Sequence, residues 1–227
     1  MKLLLALAAT LGLSLATSVG PALAAISGGC TAAGNASRSG SIDLTTATEW
    51  RLRRDDVVNA TGRAPREQTG AQASAYAFFV PLSLVVATGK GPEGSAGPFA
   101  VSDYAWIARV FVVAGSSDNC NGSIRIVIED VNQFATLVGG GGLLLFIVGL
   151  LGLVVSALGR GLGPRLLGGA LGGLVAGFGL ALLLPQLGVI DPRDPIGLAL
   201  LAVGLLIGTF AASIGGRRPP AQAAAVP

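Results

Sequence analysis

Hydrophobic and polar positions change their rhythm twice along this chain. Residues 3–16 are a mostly apolar run, residues 41–130 contain stretches that alternate with a period of two, and residues 136–214 return to long apolar runs. The first run follows Met1 and Lys2 and closes on Gly20-Pro21, with Ala22-Leu23-Ala24 ahead of Ala25. A positive start, a short apolar core and a small-x-small site are what signal peptidase accepts, so residues 1–24 read as a cleaved signal peptide. Residues 3–25 would just cross a bilayer if uncleaved, but the Gly-Pro break argues against a span. Lipidation of Cys30 is a further reading, weakened by Ser27-Gly28-Gly29 ahead of it and by its distance from the apolar run.

The alternating region predicts strands. Over residues 41–53, Ile42, Leu44, Thr46, Thr48, Trp50 and Leu52 alternate with Asp43, Thr45, Ala47, Glu49 and Arg51, which gives a strand one apolar and one wet face. Over residues 123–130, Ile124, Ile126 and Ile128 oppose Arg125 and Glu129 in the same way. Residues 72–88, broken at Pro81, and 99–114 are rich in Val, Phe, Tyr and Ala. Residues 115–122, dense in Ser, Asp, Asn and Gly, read as the turn before the last strand. Five to seven strands of this kind predict an all-β extracytoplasmic domain over residues 25–133, an antiparallel sandwich or small barrel.

The last apolar runs predict transmembrane helices at residues 136–158, 166–190 and 196–214, each long enough at ~1.5 Å per residue to cross ~30 Å of hydrocarbon. Arg160 and Arg165 lie in the first connection, Asp191, Arg193 and Asp194 in the second, and Arg217-Arg218 open a tail, residues 215–227, that reads as disordered. Positive-inside counting puts the first connection and the tail in the cytosol. The leader independently exports everything before the first span. The predicted location is therefore a cell membrane, crossed three times, with the N-terminal domain outside.

These spans contain no Asp, Glu, Lys, Arg or His; their polar side chains are Thr136, Ser156, Gln186, Thr209 and Ser213. Proton relays, ion-coupled transport and intramembrane proteolysis place ionisable groups in the bundle, so the spans argue against those activities. Small residues recur instead at helical spacing: Gly168 and Gly172; Gly169, Gly173 and Gly177; Gly204 and Gly208; and Gly152 with Ser156. Such faces let helix backbones approach closely, either within one chain or between copies. Pro185 predicts a kink or fraying near the end of the second span.

Charge sharpens the division. The chain carries 15 basic and 12 acidic residues, and its excess lies in Lys2 and the helical half; residues 25–133 hold nine bases against ten acids. The basic balance reports membrane topology and not nucleic acid. Cys30 and Cys120 are the two cysteines, both in the exported part, so a disulfide is expected ahead of free thiols or an intermolecular bond.

Candidate chemistry is thin. There is no histidine, and Lys90 is the one lysine beyond the leader, which removes Ser-His, Cys-His and histidine-metal sites and leaves serine-lysine catalysis unsupported. Residues 89–94, Gly-Lys-Gly-Pro-Glu-Gly, fit a dinucleotide pattern, but Pro92 and the run Ser95 to Pro98 do not open a helix, so they read as a flexible loop. Residues 118–122 resemble a calcium loop only faintly and read as a turn. Asp55-Asp56 and Glu129-Asp130 are neighbours that would point to opposite faces of a strand. Asn35, Asn59 and Asn121 head glycosylation triplets, which carry no meaning if the Ala, Gly, Leu and Arg bias marks a GC-rich bacterial genome. Arg51, Arg53, Arg54, Arg63 and Arg66 form a basic run suited to anionic headgroups or wall polymers, or to a solvated face balanced by Asp55 and Asp56.

The sequence thus predicts a non-enzymatic membrane protein of the cell envelope, without cofactor or metal. It would present a disulfide-clasped β-domain for partner binding or structural support. Its partners would be the lipid bilayer and a second copy or another membrane protein. The alternative is an accessory subunit of a transport or secretion complex.

Overall fold

A computed structural model of the chain describes residues 26–68, 71–78, 84–89, 92–159 and 161–214. The leader (1–24), the tail (215–227), Pro81, Lys90 and Arg160 lie outside the described residues.

Nine strands precede three long helices among these residues: β1 Thr31–Ala36, β2 Gly40–Asp43, β3 Glu49–Leu52, β4 Val57–Arg63, β5 Ala71–Tyr76, β6 Leu84–Gly89, β7 Glu93–Ala100, β8 Val110–Ser116 and β9 Asn121–Ile128. A short helix, α1 (Ser102–Ala105), interrupts them. The strands form a four-stranded sheet ordered β2-β1-β4-β7 and a five-stranded sheet ordered β3-β9-β8-β5-β6. The count exceeds the expected five to seven because β1, β4 and β7 are built from Ala, Gly, Asn and Thr with few large apolar residues. They pair through backbone hydrogen bonds and carry little hydrophobic signal.

The pairing also departs from an all-antiparallel expectation. β3 and β9 run parallel, with Trp50 opposite Ile126 and Leu52 opposite Ile128. The single strand expected over residues 41–53 is in fact two, and they belong to different sheets. The break has a local cause: the Asp43 carboxylate accepts the Thr45 N–H at 2.9 Å and the Thr45 hydroxyl, while the Ala47 N–H donates to the Asp43 carbonyl. An Asx-type turn of this kind reverses the chain without Gly or Pro. Residues 93–94, expected in a loop, open β7.

Both sheets contribute to one core. Trp50, Leu52, Ile124, Ile126 and Ile128 come from the five-stranded sheet, and Ala36, Ile42 and Val58 from the other. Trp50 lies against β1 so closely that a Cβ on Gly34 would collide with its ring.

The helices are α2 (Leu137–Leu158), α3 (Leu162–Gln186) and α4 (Ile196–Ile214), each long and apolar enough to cross a membrane. α3 begins and ends four residues earlier than the apolar run suggests. Pro164 sits in its first turn, where a missing N–H costs nothing. At the far end Gly188 takes a left-handed φ of +78°, and the Leu187 and Gly188 N–H groups donate back to Leu183 and Pro185, which stops the helix. Pro185 therefore falls one residue from the terminus and does not interrupt the helix body. Thr136 caps α2, its hydroxyl accepting from Gly139 at 3.0 Å. At the start of α4 the Asp194 carboxylate accepts the Ile196 N–H at 3.0 Å, with Pro195 immediately before the first helical residue.

α3 is the central helix. It meets α2 and α4 on two faces, and those two scarcely meet each other. Toward α2, a Cβ on Gly172 would stand 2.8 Å from the Leu153 nitrogen, and one on Gly179 would stand 2.6 Å from the Gly142 carbonyl. Toward α4, Gly169, Gly173 and Gly177 face Gly208, Gly204 and Leu200, with no room for a Cβ. Gly168 lies against Ser156. The glycines thus lie at contacts inside this chain, where close approach gains dispersion in a lipid setting that offers no hydrophobic drive between helices.

Candidate functional site

The β-domain and the helices are joined by backbone and side-chain contacts that identify one end of the domain. At the start of α2, the Leu137 and Val138 N–H groups donate to the Trp106 and Ile107 carbonyls at 2.8 and 2.9 Å. At the end of α3, Gln186 is fully buried. Its Oε1 accepts the Arg109 and Val110 N–H groups at 2.8 and 3.0 Å, and its Nε2 donates to the Val110 and Ala77 carbonyls at 2.9 and 3.3 Å. An amide has two acceptor lone pairs and two N–H donors, so its whole capacity is used. Ala77, Ala108, Val138 and Leu182 pack around this joint with Phe78, Phe111 and Phe178, and the rings of Phe78 and Phe178 meet edge to face at 6.5 Å. In the α3–α4 connection, the Arg193 guanidinium lies 5.1 Å from the centre of the Tyr76 ring.

Between the two sheets lies a cavity of about 390 Å³, within the size range of small-molecule sites, ~300–1,000 Å³. Its origin can be read residue by residue. Stacked sheets stand ~10 Å apart, and side chains from both inner faces normally fill that gap. Here the facing residues of β4, β5 and β7 include Ala60, Gly62, Ala73 and Ala96, which are too short to meet. Trp50, Leu52, Val58, Val101 and Phe111 wall the end nearer the helices. Phe111 belongs to both this wall and the joint below it, and Tyr104 stacks on it at 6.1 Å. Burial raises the Tyr104 pKa, and the charge of Asp103 adds to the effect, so the phenol stays neutral.

The opposite end carries the cysteines. Cys30 and Cys120 are bonded, with Cα atoms 6.1 Å apart, and tie the start of β1 to the β8–β9 turn. Gln68 is buried beside them, accepting from the Asn119 N–H at 3.2 Å.

The five arginines of the basic run do not gather. Arg51, Arg53 and Arg54 lie near the helix end, since Leu52 is paired with Ile128 at the end of β9. Arg51 is ion-paired with Glu49 and Glu129 at 2.9 and 3.6 Å, and the Arg54 N–H donates to Asp130 at 2.8 Å. Arg63 pairs with Thr31 at the cystine end, where its guanidinium meets Glu93 at 3.6 Å; Arg66 is exposed three residues further on. The length of β4 separates the two groups, about 20 Å at ~3.3 Å per residue.

The acidic neighbours are also settled by geometry. Asp55 is ion-paired with Arg38 at 2.6 Å. Asp56 is 1% exposed and accepts from the N–H groups of Arg38, Arg53 and Ser39 at 2.7, 2.8 and 3.1 Å, and from the Ser37 and Ser39 hydroxyls. Burial is the largest single influence and pushes its pKa up, but the Ser39 hydroxyl and the three N–H groups together outweigh it and hold the carboxyl at about 2. Asp56 is thus a clasp between the β1–β2 and β3–β4 turns. Among the described residues no group of three or more metal-ligating side chains is found.

Two of these features escape a linear reading. The cavity is invisible because its signal is small residues that face each other only after folding. Gln186 did carry a signal, as the one amide in three apolar runs. Compared with known proteins, the chain has no matching family model, no matching curated protein and no matching solved structure. Its architecture, a disulfide-bearing β region followed by three apolar helices, is compatible with a membrane protein.

Proposed function

We propose that this chain is a non-enzymatic integral membrane protein of the cell envelope, with three spans, a disulfide-clasped β-sandwich outside the cytoplasm and a cytosolic C-terminus. The sandwich serves there as a binding module held at a fixed attitude to the bilayer. The observation that carries this reading is the joint at Gln186, where a residue of an apolar helix completes its hydrogen bonds inside the β-domain. A domain hung on a flexible linker would need no such joint.

Other features support the reading. A disulfide is at home in an oxidising compartment. Trp106, 57% exposed, and Phe134 lie beside the start of α2, the level at which aromatic side chains meet a membrane surface. Arg165 lies at the opposite end of the helices and donates to the Ser156 and Ala157 carbonyls, where the positive-inside rule expects cationic residues. Asp56 is committed to its five donors, which favours a structural over a catalytic role.

Protease added outside intact spheroplasts tests the topology. Removal of the β-domain, with a C-terminal tag preserved and the helices resistant to carbonate extraction, is the expected result. A protected domain or carbonate release overturns the reading. Purification in mild detergent tests the role: a single species or a second copy is expected, whereas a stable heteromeric assembly would make the chain an accessory subunit of a transport or secretion complex.

A further inference from the structure

We propose that the cavity between the two sheets binds a single hydrocarbon chain, and that its ligand is an amphiphile with one such chain and a polar head at the cystine end. The proposal rests on the reading of the β-domain as a binding module, and adds to it the class of ligand.

Shape is the first argument. The lining follows β4 from Val58 to Ala64, about 20 Å at ~3.3 Å per residue. The cavity of about 390 Å³ is lined along that whole length, so it is elongated. An extended hydrocarbon chain has the same elongated form and would meet apolar walls at contacts of ~4.0–4.5 Å. The narrowness is set by strands, which are rigid, and the opening by Ala60, Gly62, Ala73 and Ala96, which cannot reach across.

Polarity is the second argument, and it has a direction. At the helix end the walls are Trp50, Leu52, Val58, Val101 and Phe111, with no charged side chain. At the cystine end the lining includes Gln68, Ser117 and Asn121, together with Arg63 and Glu93. The last two are paired with each other and about three-quarters exposed, so neither charge is turned into the cavity. A charged ligand driven to the helix end would lose its water and find no opposite charge there, with the Tyr104 phenol beside Phe111 as a polar group. A hydrocarbon chain gains from the same transfer, and its head would remain among the polar groups at the cystine end.

Trp50 lines the cavity and Trp106 is the chain's other tryptophan, so a Trp106→Phe variant of the full chain leaves Trp50 as the reporter. The protein is reconstituted in phosphatidylcholine nanodiscs and titrated with dibromostearate, whose bromines quench indole on contact. Saturable quenching reversed by unbrominated stearate is expected. An added Ala60→Leu/Ala73→Leu pair, which fills the cavity, should weaken binding about tenfold or more while leaving the melting temperature equal or higher. Ala73→Leu alone serves if the pair does not fold.

Quenching that never saturates, or that is unchanged when the cavity is filled, overturns the proposal. Incorporation into nanodiscs is scored first: failure to incorporate overturns the membrane reading and the ligand with it, whereas incorporation without saturable quenching overturns the ligand alone. Mass spectrometry of an organic extract separates the sources. A retained single-chain lipid in one-to-one ratio supports a membrane origin, a clean extract followed by saturable stearate binding supports a water-borne amphiphile, and a retained two-chain lipid as the sole occupant contradicts the one-chain site.

Discussion

The side-chain amide of Gln186 is hydrogen-bonded to both the N–H and the carbonyl of Val110, at 3.0 and 2.9 Å, across 76 residues of sequence. The amide thus imitates a neighbouring strand. Through it the last turn of α3 is read by β8 much as another peptide group would be, which converts the end of a membrane-type helix into part of a sheet.

Replacing Gln186 by Ala should accordingly cost more than one hydrogen bond. It leaves the Arg109 and Val110 N–H groups and the Val110 and Ala77 carbonyls in a dry joint, and unsatisfied buried groups cost ~1–3 kcal/mol each. Thermal unfolding in detergent should show a loss of about 3 kcal/mol or more, and proteolysis between the domain and α2 should accelerate. Gln186→Glu should be no rescue, because a carboxylate cannot donate to the two carbonyls. A Gln186→Ala protein as stable as the parent would remove the joint from the account.

Gly173 faces Gly204 across α3 and α4 with no space for a Cβ. Gly173→Leu should force the helices apart and destabilise the bundle by about 1–3 kcal/mol or more, the range for overpacking. Leu174, on an exposed face of the same helix, provides the comparison: Leu174→Ala should stay within ~0.5 kcal/mol. Equal effects of the two substitutions in a detergent melt would mean that the glycine contact is not a constraint.

Asp56 makes an acid-side prediction. Its folded pKa, about 2, lies below the ordinary 3.8, so its contribution is complete above the unfolded value and is lost as pH falls through about 2. At ~1.36 kcal/mol per pKa unit the contribution is about 2–3 kcal/mol. Asp56→Asn should lower stability at neutral pH and flatten the dependence between about pH 4 and pH 2. Denaturant titrations at a series of pH values check both, and an unchanged acid limb in the variant would assign the dependence elsewhere.

The Cys30–Cys120 bond closes a span of 90 residues. In the chain-entropy account this is worth about 4–5 kcal/mol. Cys30→Ser and Cys120→Ser should destabilise the β-domain by similar amounts, and the double variant should cost little more than either single one, because both remove the same link. A reductant titration followed by tryptophan fluorescence gives the comparison, since Trp50 lies in the core between the sheets.

The features legible along the chain are local or compositional. Apolar runs of span length fold as helices, which satisfy their own backbone hydrogen bonds, and Ile124, Ile126 and Ile128 line one face because a strand repeats every two residues. Pairing of two cysteines in one domain needed no geometry. Long-range packing set the exchange of sheets between Asp43 and Glu49, the parallel pairing of Leu52 with Ile128, the separation of Arg53 and Arg54 from Arg63 and Arg66, the cavity and the joint at Gln186. Each of these depends on which distant segments come to lie side by side. Periodicity reports which face of an element turns inward, but the element it meets is chosen by the summed burial and hydrogen bonding of the whole core, a quantity that no short window of sequence contains.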